Sequence, residues 1–228
     1  MIDIDLRKME GIDPAIEWMR NACKSWDRSD SGYFGDDGSA AVYAVGTEDL
    51  KLATKLAASG TDHAKYRRQI IVWVGINAPL YWWKEFDTYR VGVEKNSEST
   101  MHTIAKKEFT MDDFSHEHLP SATECMMSLV NIDGKAALYS PKGFLALTIK
   151  YLNAAREQWL ETKDKTYWWT MIQLLPTCYN QYRGVTASYE ALANMYHARK
   201  DHKLDEWQEF CKWIETLPYS KEFIQTAK

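Results

Sequence analysis

The stretch QIIVWVGINAP, residues 69–79, limits what this chain can fold into more than any other. Isoleucine and valine make it almost continuously apolar, and Pro79, which has no N–H to donate, stops it. A short run rich in β-branched residues and closed by a breaker reads as a strand, and apolarity without alternation predicts burial on both faces. Such a strand is expected to lie at the centre of a sheet.

Helical periodicity surrounds it. DPAIEWMRNACKSW (13–26) spaces Ile16, Met19 and Cys23 on one face, with Asp13 as the expected N-cap and Pro14 at the first helical position. The segment 29–46 is crowded with Gly, Asp and Ser and reads as loop, with AVYAV as a short strand inside it. TEDLKLATKLAAS (47–59) opens on Thr47 followed by two acids, which favours a helix start there. After Pro79, LYWWKEFDTY predicts a short aromatic helix, and the polar stretch around Gly92 and Asn96 predicts irregular backbone. From Thr110 onwards helices are expected over 109–119, 122–132 and 140–163, the last capped by Ser140 with Pro141 in its first turn. Three further apolar-periodic stretches follow, 166–180, 186–200 and 203–218. The fold class is therefore α+β: a small central sheet with long helices.

At 228 residues the chain is expected to form one domain, 1–228, and its 45% hydrophobic and 26% charged residues are those of a chain that folds. A net charge of −4 offers no general attraction to nucleic acid or anionic membranes, so neither is expected as a partner. No run approaches the roughly 18 apolar residues of a spanning helix, and the first ten residues do not read as a signal peptide, which makes the cytoplasm the expected location. The four cysteines are scattered with no CxxC pair, and reduced, mostly buried thiols are expected. The two histidines of SHEH (115–118) lack a nearby third ligand, and no metal is expected.

Three places carry candidate chemistry. His63, Arg67 and Arg68 gather cations just before the apolar strand, either for an anion or as solvated flanking charge. Leu192, Met195 and Arg199 follow at helical spacing, which aligns a guanidinium with an apolar stripe, so Arg199 needs either a carboxylate or a ligand oxygen. The stretch FDTYRVGVEKNSESTMHTI, 86–104, is polar and placed directly after the aromatic helix.

Taken together these residues resemble the flavin-dependent thymidylate synthases. That family carries an H-x-x-P-F-E-H segment, a strand ending in Ala-Pro, a helix ending in Arg-His-Arg, and the signature R-H-R-x-x-S-x-N-E-x-S-x-R-Y. Here His63 stands at the first histidine and the spacing to Ala78-Pro79 is kept, while Gln69 replaces the second histidine and Glu85-Phe86 replace a Gln-Trp pair. Thr88, Tyr89 and Arg90 lie where Arg-His-Arg would be, and Asn96, Ser97, Ser99, Met101 and His102 follow after one inserted residue. A second region, LLPTCYNQYRGVTASYEALANMYHAR, resembles the family's L-P…N-x-R-S-L-x-N-F-L-x-L-R run and keeps Asn194 and Arg199, with Ser188 and Glu190 replacing an asparagine and a flavin-contacting arginine.

The resemblance implies FAD as cofactor, a homotetramer, and methylation of dUMP or a related pyrimidine nucleotide with a folate carbon and NADPH. It assigns His63, Arg90, Asn96 and Asn194 to the cofactor. Arg90, Ser99, His102 and Arg199 fall to the substrate, with Arg199 polarising the pyrimidine. Loss of the family arginine at Met101 removes a phosphate contact unless Lys95, His102 or Arg183 substitutes. Loss of cations at Thr88, Met101 and Glu190 also leaves open a nucleotide-binding or scaffolding protein without turnover, and an unrelated α+β assembly protein is a third reading.

Overall fold

A computed structural model of the chain describes residues 2–35, 41–121, 128–132 and 135–226, without the side chains of 128–132 and 135–138. In chain order the first elements are β1 (Asp3–Glu10), α1 (Ile12–Trp18), β2 (Gly32–Phe34), β3 (Val42–Ala44), α2 (Thr47–Ala58), β4 (Ile71–Pro79), α3 (Leu80–Phe86), β5 (Val93–Ser97) and α4 (Thr100–Thr103). Then come β6 (Ser128–Ile132), β7 (Lys135–Tyr139), α5 (Pro141–Thr162), α6 (Lys165–Leu174), β8 (Asn180–Ser188), α7 (Tyr189–Arg199), α8 (Asp205–Glu215) and α9 (Ser220–Phe223). A four-stranded sheet has the order β1-β4-β8-β5, so the apolar run is an interior strand, and the class is α+β as the sequence implies. Its two faces differ, however: Val72, Val74, Ile76 and Ala78 are buried, while Trp73 on the other face is 38% exposed.

Several expected elements change type. β1 went unread because its alternating charges, DIDLRKME, lack an apolar face, which suits a strand at the edge of a sheet. Within the polar stretch after α3, Val93–Ser97 is strand β5, paired with β8, and β8 itself fills the gap between the helices expected over 166–180 and 186–200 and takes the first residues of the second. The helix expected over 109–119 is a single tight turn, Met111–Asp113. A reciprocal box between Thr110 and Asp113 opens that turn, and Phe114 then bridges Tyr179 as extended chain. Within 122–132, Ser128–Ile132 is a strand that pairs antiparallel with β7, and 122–127 lie outside the described residues.

The chain divides into two compact units. One comprises Ile2–Ile76, Glu85–Asn96 and Arg183–Lys228. In it α7 packs on α8 and α2 on α9, and the largest enclosed side chains include Trp207, Tyr189, Phe86, Phe210 and Phe223. Asp13 lies inside α1, not at its cap, which is Gly11. The start of α2 is capped from outside its own sequence: the Asp30 carboxylate accepts from the backbone N–H of Glu48 and Asp49 at 2.9 and 3.0 Å. Gly46 is the residue that permits this, since a Cβ there would stand 2.2 Å from the Asp30 carboxyl carbon. Asp49 is fully buried, accepting from Arg20 Nε and from the hydroxyls of Ser29 and Ser31, both at 2.6 Å. The loop 29–31 is thereby tied to α2 through one carboxylate.

The other unit comprises Asn77–Lys84 and Ser97–Tyr182. Here Ser140 caps α5 as the sequence implies, accepting from Gly143 N, and α5 packs on α6. Its core joins Ile104, Phe109, Phe114, Leu145, Ile149, Leu152, Met171 and Tyr179. The Asn153 amide clasps the Phe109 backbone, accepting from its N–H at 2.8 Å and donating to its carbonyl at 2.9 Å. Trp83, fully buried, donates its indole N–H to Gln181 O at 2.9 Å.

Among the described cysteines all three are free, and only Cys211 is buried. Cys178 is half-buried and Cys23 exposed, which corrects the expectation of mostly buried thiols. Burial pushes the Cys211 thiol up to about 12, so it stays protonated at neutral pH.

Asp49→Ala leaves Arg20, 5% exposed, without its counter-ion, and should cost about 3–5 kcal/mol in urea denaturation at neutral pH. Burial raises the Asp49 carboxyl, but hydrogen bonds from Ser29, Ser31 and Arg20, with the arginine's charge, outweigh it and hold the group below the ordinary 3.8. A folded value under the unfolded one stabilises above about pH 4 and is lost as pH falls through the folded value. The acid limb of wild-type stability should therefore be steeper below about pH 4 than that of Asp49→Ala.

Candidate functional site

Arg199 closes α7, and its guanidinium is held on three sides. Nε donates to the Tyr89 hydroxyl at 2.9 Å, and Nη1 donates to Glu85 Oε2 at 3.0 Å. Its central carbon lies 4.8 Å from the Trp207 ring centre and 5.7 Å from that of Tyr89, within cation–π range. Trp207 donates its indole N–H to the same Glu85 oxygen at 2.9 Å, and His202 Nε2 stands 3.5 Å from it. The partner that the sequence left open between carboxylate and ligand is thus a carboxylate, yet a half-exposed one, and the Arg199 side chain keeps 20% of its surface. Glu85 takes this role at the position where the resembling family has glutamine.

Phe86 explains why Glu85 arrives there. Its ring is fully buried, stacked on Trp207 at 6.0 Å and 13° and edge-on to Phe210 at 5.8 Å. Beyond it, Asp87 accepts from Arg183 Nη1 at 2.9 and 3.1 Å and lies 3.4 Å from Lys95 Nζ. Lys95 also donates to Tyr89 O at 3.0 Å and sits over the Phe86 ring. Two of the three cations named as substitutes for the arginine lost at Met101 are therefore drawn onto Asp87. Arg90 is exposed and has no side-chain partner among the described residues. Asn96, in β5, and His63 are exposed in the same unit, while Ser99, the N-cap residue of α4, and His102, within α4, are exposed in the other.

The cations before β4 separate. Arg67 is 1% exposed, its Nη2 lies 2.7 Å from Glu190 Oε2, and its Nη1 donates to Phe223 O at 3.0 Å. The ion pair is close but poorly aligned, leaving both Glu190 oxygens without a hydrogen bond. Arg67 is thus unavailable to an anion, contrary to its reading as part of an exposed cation group. Arg68 stays exposed and lines a cleft of about 430 Å³ with Ile71, Val91, Glu94, Ser188 and Asn194. Glu190 and Gly92 line it too, so Ser188, Glu190 and Asn194, matched in the sequence to the family's flavin region, share one cleft. Gly92 has φ +70°, and a Cβ there would meet Ser188 Oγ at 2.8 Å; its carbonyl accepts from Ser188 N at 2.9 Å.

This architecture is that of the flavin-dependent thymidylate synthases. The ThyX protein of Helicobacter pylori complexed with FAD and dUMP is similar over 99% of this chain and 100% of its own, with TM-score 0.66 at 18% identity. A second Helicobacter pylori ThyX structure with FAD and dUMP gives 0.65 at 14% identity over 98% and 97%. PolB from Streptomyces cacaoi, a UMP/dUMP methylase bound with 5-Br dUMP, gives 0.60 at 14% over 100% and 96%. No protein-family model and no curated protein matches the sequence.

Removing one partner of the buried pair strands the other charge. Arg67→Met should lose about 3–5 kcal/mol in chemical denaturation, and Arg67→Met combined with Glu190→Leu should recover most of it, a coupling that a double-mutant cycle reads directly.

Proposed function

We propose that this chain binds dUMP or a related pyrimidine nucleotide and methylates it with a folate one-carbon unit and NADPH, with FAD as cofactor. The observation that carries the reading is the shared fold over the whole chain with proteins solved with FAD and dUMP. The cleft is compatible with a flavin: Ile71, Val91, Val93 and Ala191 offer apolar walls for a flat ring, Arg68 offers a cation for phosphate, and Asn194 lies among the lining residues. The Glu190 charge facing that site is already matched by Arg67. A bound flavin supplies hydride chemistry, so no side-chain nucleophile is required of the protein.

Within this reading Arg199 does the electrostatic work. Its Nη2 has no partner among the described residues, and a fixed guanidinium N–H directed at a pyrimidine carbonyl stabilises the charge that develops there. Arg90, uncommitted and exposed, serves the nucleotide phosphate as a charge-assisted donor. The homotetramer and the cytoplasmic location belong to the same proposal. A second reading, binding without turnover, is favoured by one observation: Glu85 and Tyr89 already occupy two of the three nitrogens of Arg199.

Purified protein should show flavin absorbance or take up added FAD, bind dUMP in calorimetry, and release tritium from position 5 of labelled dUMP when folate and NADPH are present. Binding of both ligands without tritium release selects the second reading, and binding of neither removes both. Arg90→Ala should weaken dUMP binding about tenfold or more with no change in melting temperature. Arg199→Ala should abolish turnover, and because it leaves Glu85 without its cation it should also lower the melting temperature.

A further inference from the structure

We infer that Glu85 is a specificity-determining residue that reads the hydrogen-bond donor on the pyrimidine edge beside the carbonyl taken by Arg199. The inference rests on the nucleotide-binding reading above. Within the Arg199–Glu85 pair, only Nη1 and Oε2 are engaged with each other. Oε2 also accepts from Trp207, and Nε is used by Tyr89. That leaves Arg199 Nη2, a donor, and Glu85 Oε1, an acceptor, with no partner among the described residues. Both side chains reach solvent, at 20% and 36% exposure.

A donor and an acceptor that flank one ion pair complement a group presenting an acceptor next to a donor. Uracil has that pattern in its carbonyl and N3–H. A phosphate, which only accepts, would be repelled by the carboxylate, so this pair is suited to the base of a nucleotide and not to its phosphate. Tyr89, Trp207 and the buried Phe86 hold the pair in place from one side, which limits the reorganisation needed when a base docks. A glutamine here, as in the resembling family, would also accept through its carbonyl, but without charge and therefore more weakly.

The test compares dUMP with N3-methyl-dUMP, which lacks the donor, by calorimetry on the full chain supplied with FAD. Wild type should bind dUMP at least about tenfold more tightly. Glu85→Gln should shrink that ratio severalfold, and Glu85→Ala should bring it close to one. Equal binding of the two nucleotides by wild type overturns the role of Glu85 while leaving the proposed function standing. A preference that Glu85→Gln leaves unchanged reports simple exclusion of the methyl group by size and overturns it as well. Absence of any dUMP binding removes the proposed function and this inference together. Should both variants fail to fold, Glu85→Asp, which keeps the charge but withdraws the acceptor by one methylene, takes their place: a smaller ratio supports the role of Glu85 and a ratio equal to that of wild type overturns it.

Discussion

Burial of Phe86 fixes where the chain leaves α3, and the charged residues that follow take their places from it. The ring is enclosed by Trp207 and Phe210, so the backbone on either side is anchored to α8. A fully buried aromatic side chain of this size is worth about 1.5–3 kcal/mol relative to exposure, which exceeds what any single exposed ion pair nearby contributes. The apolar contact therefore sets the geometry and the charges adapt. Glu85, one residue earlier, is turned toward Arg199 and the Trp207 indole; Asp87, one residue later, collects Arg183 and Lys95.

This division of charges explains why the stretch after α3 has so little free cation. Arginine and lysine are present near it, but three acids draw most of them inward. Arg183 and Lys95 serve Asp87, Arg199 serves Glu85, and Arg67 serves Glu190. Among the described arginines near it, Arg90 has no side-chain partner, and Arg68 has only a 3.3 Å bond to Thr61 O. Their exposure marks them as the cations able to change partner when an anion arrives, since a buried arginine pays the full cost of losing its carboxylate.

The sequence made the interior strand, its proline stop, the aromatic helix after it and the long capped helix legible, because each is written in local chemistry: β-branched runs, Pro79, and Ser140 ahead of Pro141. It concealed β1 and β5, whose residues are polar because a sheet edge does not demand an apolar face. It concealed β8 for another reason. Gln181 to Ser188 is a mixed stretch whose burial alternates only in part, and the helix that follows at Tyr189 dominates the pattern around it. In the site, the isolated importance of Arg199 was readable from its place on an apolar stripe. Its counter-ion was not, because Glu85 lies 114 positions away and long-range pairing leaves no periodic trace. A glutamate standing where a resembling family has glutamine, while the arginine is kept, was the available signal.

The same logic changes the meaning of Glu190. Read along the sequence, an acid in place of a flavin-contacting arginine reverses the charge of the site and argues against an anionic cofactor. In the fold that acid, though it lines the cleft, is 7% exposed and lies against Arg67, itself 1% exposed, so its charge is matched where it stands. The cleft is left with Arg68 and Glu94 as its exposed charges, one of each sign, over apolar walls. Such a lining carries little net charge, and most of its surface is apolar. An acid that brings its own arginine is a different substitution from an acid left alone, and both Glu85 and Glu190 are of the first kind.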